Sequence, residues 1–181
     1  MKIYYLILSL FIIECSSSEK AETVQVLSPP SAKNASTSNV LKLLHTIMGT
    51  GEGILRGIDF GDDISDVKKK EKAELFEEEE SHIGYSFDSD NLETIDILYQ
   101  KDKQNRVSGI ELDIYMNTEV SNDSLKNELT KQFTSLYGQP LANAETPTWE
   151  IKSKGKVSIK VVKNKLDRGL EVKFIQISKP I

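Results

Sequence analysis

The sequence predicts an α+β fold, an antiparallel β-sheet with helices packed on one face and two α-βββ units as its internal arrangement. Three observations predict it. Apolar and polar residues alternate in two separate blocks, one within 73–116 and one within 149–174. Each block follows a stretch with helical spacing. The links between alternating runs are short polar turns, which join antiparallel neighbours, since parallel strands need crossovers of a dozen residues or more. Helices and strands in separate blocks define the α+β class.

The elements follow in order. Val40, Leu41, Leu44, Ile47 and Met48 recur at helical spacing, with Ser38 or Asn39 as cap and Gly49 as stop. Gly49-Thr50-Gly51-Glu52-Gly53 reads as a flexible connector. It lacks the Gly-Lys-Ser/Thr ending of a phosphate loop and follows a helix instead of a strand. Asp62 or Asp63 caps a short helix that carries acids in its first turn and Lys68, Lys69 and Lys70 in its last, as the helix dipole favours.

Four strands are predicted next, at Ala73 to Glu78, Ile83 to Phe87, Ile95 to Tyr99 and Ile110 to Met116. Leu125, Leu129, Phe133, Leu136 and Tyr137 then share one helix face, between a cap near Ser121 or Asp123 and the stop Gly138-Gln139-Pro140. Three strands close the pattern at Trp149 to Ile151, Val157 to Val161 and Leu170 to Phe174. The two units would span 62–116 and 121–177, although their residues barely match.

The N-terminal region differs in kind. After Met1 and Lys2, residues 3–13 are apolar apart from Ser9, too few to span the hydrocarbon core as a helix but enough for a secretory signal. Residues 16–38 are mainly Ser, Ala, Lys, Glu, Asn and Thr, broken by Ser28-Pro29-Pro30-Ser31. Such composition buries too little apolar surface to offset its ordering entropy. The expected organisation is a signal over 1–14, a flexible tether over 15–38, a helix and Gly-rich connector over 39–57, and an α+β domain over 58–181.

Ile12-Ile13-Glu14-Cys15 resembles the lipobox of bacterial lipoproteins, with Ile12 as the aliphatic residue and Glu14 in place of the usual small one. The resemblance implies acylation of Cys15 and attachment to a membrane surface without spanning it. Ser16 is compatible with onward transport to the outer membrane. The alternative is an ordinary secretory signal cut between Cys15 and Ser18, which releases a soluble exported protein. Phe60-Gly61-Asp62 to Val67-Lys68, the strands with Tyr85 and Phe87, Tyr137-Gly138-Gln139-Pro140 and Trp149 resemble two further groups. These are the outer-membrane assembly lipoproteins of the SmpA/OmlA type and proteins with the beta-lactamase-inhibitor fold. The chain departs from them at Lys72-Ala73-Glu74, where a Gly-x-Pro is usual. What that resemblance implies is the fold and binding to another protein.

Composition excludes several functions. The chain carries 23 Lys and Arg against 28 Asp and Glu, a formal charge of −5, and only three of its cations are arginines. With no basic stripe, nucleic acid is not an expected partner. Cys15 is the only cysteine, so neither an internal disulfide nor a thiolate metal cluster can form. Glu77-Glu78-Glu79-Glu80, His82, Asp88 and Asp90 form the densest polar stretch, yet neighbouring strand residues point to opposite faces and cannot converge on one ion. Asp88-Ser89-Asp90-Asn91 starts like a calcium loop and then lacks its glycine and distal glutamate. His45 and His82 stand in no nucleophile motif.

The expectation is therefore a protein with no catalytic residues, no metal and no cofactor. Cys15 is the lipidation site, and Tyr115 and Trp149 are the candidate partner-binding aromatics, Tyr115 because it is out of phase with Ile114 and Met116. The expected function is a lipid-anchored envelope protein that binds another envelope protein through its sheet. The alternative is a secreted or surface inhibitor-like or immunity-like protein that blocks an enzyme.

Overall fold

Alternation produces seven strands, β1 (Glu74–Glu78), β2 (His82–Asp88), β3 (Thr94–Lys101), β4 (Val107–Tyr115), β5 (Thr148–Ile151), β6 (Gly155–Lys163) and β7 (Arg168–Gln176). They form one sheet in the order β1-β2-β3-β4-β7-β6-β5, with every neighbouring pair antiparallel. The computed structural model describes residues 32–142, 144–164 and 168–177, with side chains from residue 38 onward. The expected signal, Cys15 and the tether as far as residue 31 lie outside the described residues.

Three helices complete the α+β fold, α1 (Ala32–Met48), α2 (Ile64–Lys70) and α3 (Glu119–Tyr137). No described helix is long and apolar enough to cross a membrane. The two halves meet at β4 and β7, where Ile110, Leu112 and Ile114 stand opposite Phe174, Val172 and Leu170. These residues and the helix faces form one continuous core. The first half pairs the seven-residue α2 with four strands, and the second pairs the nineteen-residue α3 with three.

The first helix is longer than expected. Residues 32–38, read as tether, are helical. Val40, Leu43, Leu44 and Ile47 form the buried stripe, whereas Leu41 is exposed. That stripe has the clean i, i+3, i+4, i+7 spacing of one helix face. Once such a face is packed, adding N-terminal residues costs little, because nucleation is already achieved.

The glycine-rich stretch is also ordered, against the expected flexible connector. Ile54, Leu55 and Ile58 are buried in the core. Ile54 N and Leu55 N both donate to Ile58 O, at 2.8 and 3.2 Å, and Arg56 N donates to Met48 O at 2.9 Å. Gly49 has φ 67°, and a Cβ there would lie 2.8 Å from Arg56 Cα, so the close turn requires glycine. The expected boundary at 57/58 falls inside this turn, and the core runs through it.

The helix ends follow their caps. Asp63 accepts from Ser65 N at 2.8 Å and opens α2. Thr118 Oγ1 accepts from Ser121 N at 3.0 Å, so α3 starts earlier than the Ser121 or Asp123 expected. Leu125, Leu129 and Phe133 are buried at four-residue steps, while Leu136, three residues past Phe133, rotates out and is exposed. Phe133 packs edge-on against Trp149 and Phe174, with ring centroids 5.5 and 5.7 Å apart.

Candidate functional site

All the apolar strand residues at alternate positions in β2, β3, β4 and β7 lie beneath the helices. The other positions face away. On that open face the side chains are half-buried or exposed, and the buried positions are glycines, Gly84, Gly109 and Gly169. The register sets the open face in rows. In one, Leu98 stands opposite Glu111, Glu111 opposite Lys173 and Lys173 opposite Ser158.

The adjacent row concentrates charge. Ser86 stands opposite Asp96, Asp96 opposite Asp113, Asp113 opposite Glu171 and Glu171 opposite Lys160. Three carboxylates are thus side by side across three strands, an arrangement that destabilises a sheet unless cations answer it. Some do. Lys173 Nζ lies 3.1 Å from Glu111 and 3.2 Å from Glu171, Lys160 lies 3.5 Å from Glu171, and Ser86 Oγ donates to Asp96 at 2.6 Å.

Asp113 is the least matched. Among the described residues no side-chain hydrogen bond or ion pair within 4 Å reaches its carboxylate, and only the charge of Lys173 acts on it from farther away. Burial, then the neighbouring Glu111 and Glu171, push its carboxyl above the usual range. Burial opposes the charge of Lys173, but its bonds to Glu111 and Glu171 outweigh that and raise its pKa. Glu111, Asp113 and Glu171 have ligand atoms within 4.8 Å of one another, the sole such acidic trio among the described residues. Lys173 already supplies a cation to two of the three.

Tyr115 stands on this face, as its phase predicts, and is 41% exposed. Its neighbour across the strand is Gly169, which in turn faces Val162. A hollow of about 160 Å³ lies beside this pair, lined by Asp113, Tyr115, Val162, Arg168 and Glu171 among others.

Trp149 is not a surface residue. It is fully buried on the opposite face, and its Nε1 donates to Thr134 Oγ1 at 3.2 Å. Its alternation with Ile151 places both beneath α3, where a large aromatic fills the core. The expected partner-binding role of Trp149 is therefore replaced by a packing role. The acidic stretch disperses instead of converging. Glu77 pairs with His82 at 2.8 Å, Glu78 with Lys68 at 2.8 Å, Asp88 takes the Thr94 hydroxyl and Asp90 takes Lys42. A bulge between Leu75 and Glu77 lays Phe76 and Glu77 over Gly84 on the open face. His45 is exposed on α1.

Two further groups were not visible in the sequence. Glu71, capping α2, is buried with five donors on its carboxylate. Arg56 Nε and Nη2 donate at 2.8 and 2.7 Å, Tyr99 OH at 2.8 Å, and the Lys72 and Ala73 amides at 2.7 and 2.9 Å. Burial alone would raise its pKa, yet Arg56 and the Ala73 amide hold it down at about 2. This cluster ties the glycine turn to α2 and β3. Glu93, directly before β3, is also buried but takes a side-chain bond from Ser89 Oγ alone, at 3.2 Å, among the described residues.

No family model, curated protein or solved structure matches the chain.

Proposed function

We propose that the chain is a lipid-anchored protein of the bacterial envelope that binds another envelope protein through the open face of its sheet. One observation carries this reading. Asp96, Asp113 and Glu171 lie side by side beside Tyr115, and among the described residues no side chain bonds to the Asp113 carboxylate, on which only the more distant charge of Lys173 acts. A folded protein gains nothing in stability from such a row. A partner that presents a Lys or Arg to Asp113, with its stem against Tyr115 in the adjacent hollow, would supply the missing cation and bury the ring. Glu111, Lys173 and Lys160 would form the polar rim. The role requires no catalytic residue and no cofactor.

The anchor rests on Cys15 and the lipobox-like residues before it. Labelling with radioactive palmitate should mark the wild type and leave Cys15→Ser blank, whereas equal labelling contradicts the anchor. Capture from envelope extract tests the binding face. Asp113→Lys should lose the partner retained by the wild type, while Lys126→Glu on α3 keeps it. Retention by both variants contradicts the assignment of the face.

A further inference from the structure

Among the described residues two glutamates are buried, and they differ in how many donors they receive. Glu71 receives five donors, two of them from a guanidinium. Glu93 is 4% exposed, and among the described residues its carboxylate receives one hydroxyl and no cation. Even that hydroxyl is shared, since Ser89 Oγ also accepts from the amides of Asn91 and Glu93, at 3.2 and 3.1 Å. The unbonded oxygen of Glu93 keeps solvent contact, since it is not among the buried side-chain atoms without a partner, and a cation seated there would replace that water with a charge pair in a largely enclosed setting.

The donors are missing on the side where Glu93 meets space. It lines two hollows between α1 and the turn linking β2 to β3, about 110 and 180 Å³ in volume. Asn39 and Asn91 line both, so the hollows adjoin. Leu43 and Phe87 give the first an apolar wall, Val40 gives the second one, and Ser121 adds a hydroxyl. Lys42 reaches the rim, but its ammonium goes to Asp90.

We propose that this cleft binds a small primary amine, with the ammonium on Glu93 and the alkyl part against the apolar wall. An alkylammonium has three N–H donors and no acceptor, which matches a site built from a carboxylate, amide oxygens and a hydroxyl. A divalent cation fits less well. It needs several convergent oxygens, and Glu93 forms no acidic trio with Asp88 and Asp90, the sole such trio among the described residues being on the open sheet face. The site is separate from that face, and neither proposal depends on the other.

The test is a titration of the isotopically labelled full chain with n-butylamine and 1,4-diaminobutane, followed by amide chemical shifts. Matched titrations with n-butanol and calcium chloride serve as controls. Saturable shifts confined to residues 39–46, 88–93 and 121–122, from the amines alone, are the expected result. Glu93→Gln, which keeps shape and removes charge, should weaken the amines about tenfold, the loss typical of a charged hydrogen bond. Asn39→Trp leaves Glu93 in place and fills the shared wall, so it should also abolish saturation if Glu93→Gln fails to fold. Equal responses to n-butanol, a response to calcium alone, or undiminished amine binding by the folded variants would overturn the proposal.

Discussion

On the face beneath the helices the large groups are matched within the chain: Glu71 holds five donors, Tyr99 gives it one of them, and Trp149 is enclosed against Phe133 with its N–H on Thr134. On the open face, Asp113 stands between two other acids with no side chain bonded to its carboxylate among the described residues, and Tyr115 is 41% exposed over a glycine. The same alternation generates both faces. What differs is completeness. The covered face is largely finished within the chain, and the open face is the one the proposed partner would complete. Under the proposed function, this difference separates residues that determine stability from residues that would meet the partner.

The largest effect is expected at Trp149. Trp149→Ala should cost about 3–5 kcal/mol, the range for truncating a large buried aromatic, through both lost transfer energy and the cavity left against Phe133. Tyr115→Ala should cost less than about 1 kcal/mol, as surface truncations do. Urea unfolding of the pair measures this directly. Equal losses at the two positions would erase the distinction between the faces.

Glu71→Gln comes next, at about 3 kcal/mol, because it leaves the Arg56 guanidinium buried without its counter-charge. The effect should depend on pH with a defined sign. The folded pKa of Glu71, about 2, lies below its ordinary 4.5, so its contribution is complete above pH 4.5 and is lost as pH falls toward 2. The gap between wild type and variant should therefore narrow across that window. A gap that stays constant from pH 7 to pH 3 would contradict the ion pair as its source.

Asp113→Asn should have a small effect of opposite sign. The folded pKa of Asp113 is raised above its ordinary 3.8, so the ionised form is disfavoured by folding at neutral pH, and that penalty vanishes below 3.8. Removing the charge should stabilise the protein at pH 7 by at most about 1 kcal/mol, the scale of a cross-strand like-charge contact. The wild type should draw level as its carboxyl becomes protonated. Destabilisation by Asp113→Asn at pH 7 would mean the aspartate is structurally matched after all.

Much of the fold is legible along the chain. Period-two alternation locates all seven strands, and Gly138-Gln139-Pro140 marks the end of α3. The errors arise where local patterns compete with tertiary packing. Asn34, Ser36, Thr37 and Ser38 have weak helix propensity, and only the packed face from Val40 to Ile47 carries the helix back to Ala32. The glycines at 49, 51 and 53 suggest freedom, but Ile54, Leu55 and Ile58 lock the turn into the core. The phase of Tyr115 against Ile114 was sufficient to place it. Trp149 follows the same alternation and could have been assigned to the core with Ile151. The acid row was not legible, because Asp96, Asp113 and Glu171 become neighbours only through the β3–β4 and β4–β7 registers, which span up to about sixty residues of chain. Likewise Arg56 and Glu71 meet across fifteen positions, and Tyr99 and Glu71 across twenty-eight.

The most direct test of the account is photocrosslinking in intact cells, with a benzophenone amino acid placed in turn at Tyr115 and at Leu136, which is 52% exposed on α3 at the opposite side of the sheet. A discrete adduct of higher mass from position 115, absent from position 136 and lost when Asp113→Lys is added, is the predicted result. Adducts of equal yield from both positions, or from position 136 alone, would contradict the open face as the place where the partner binds.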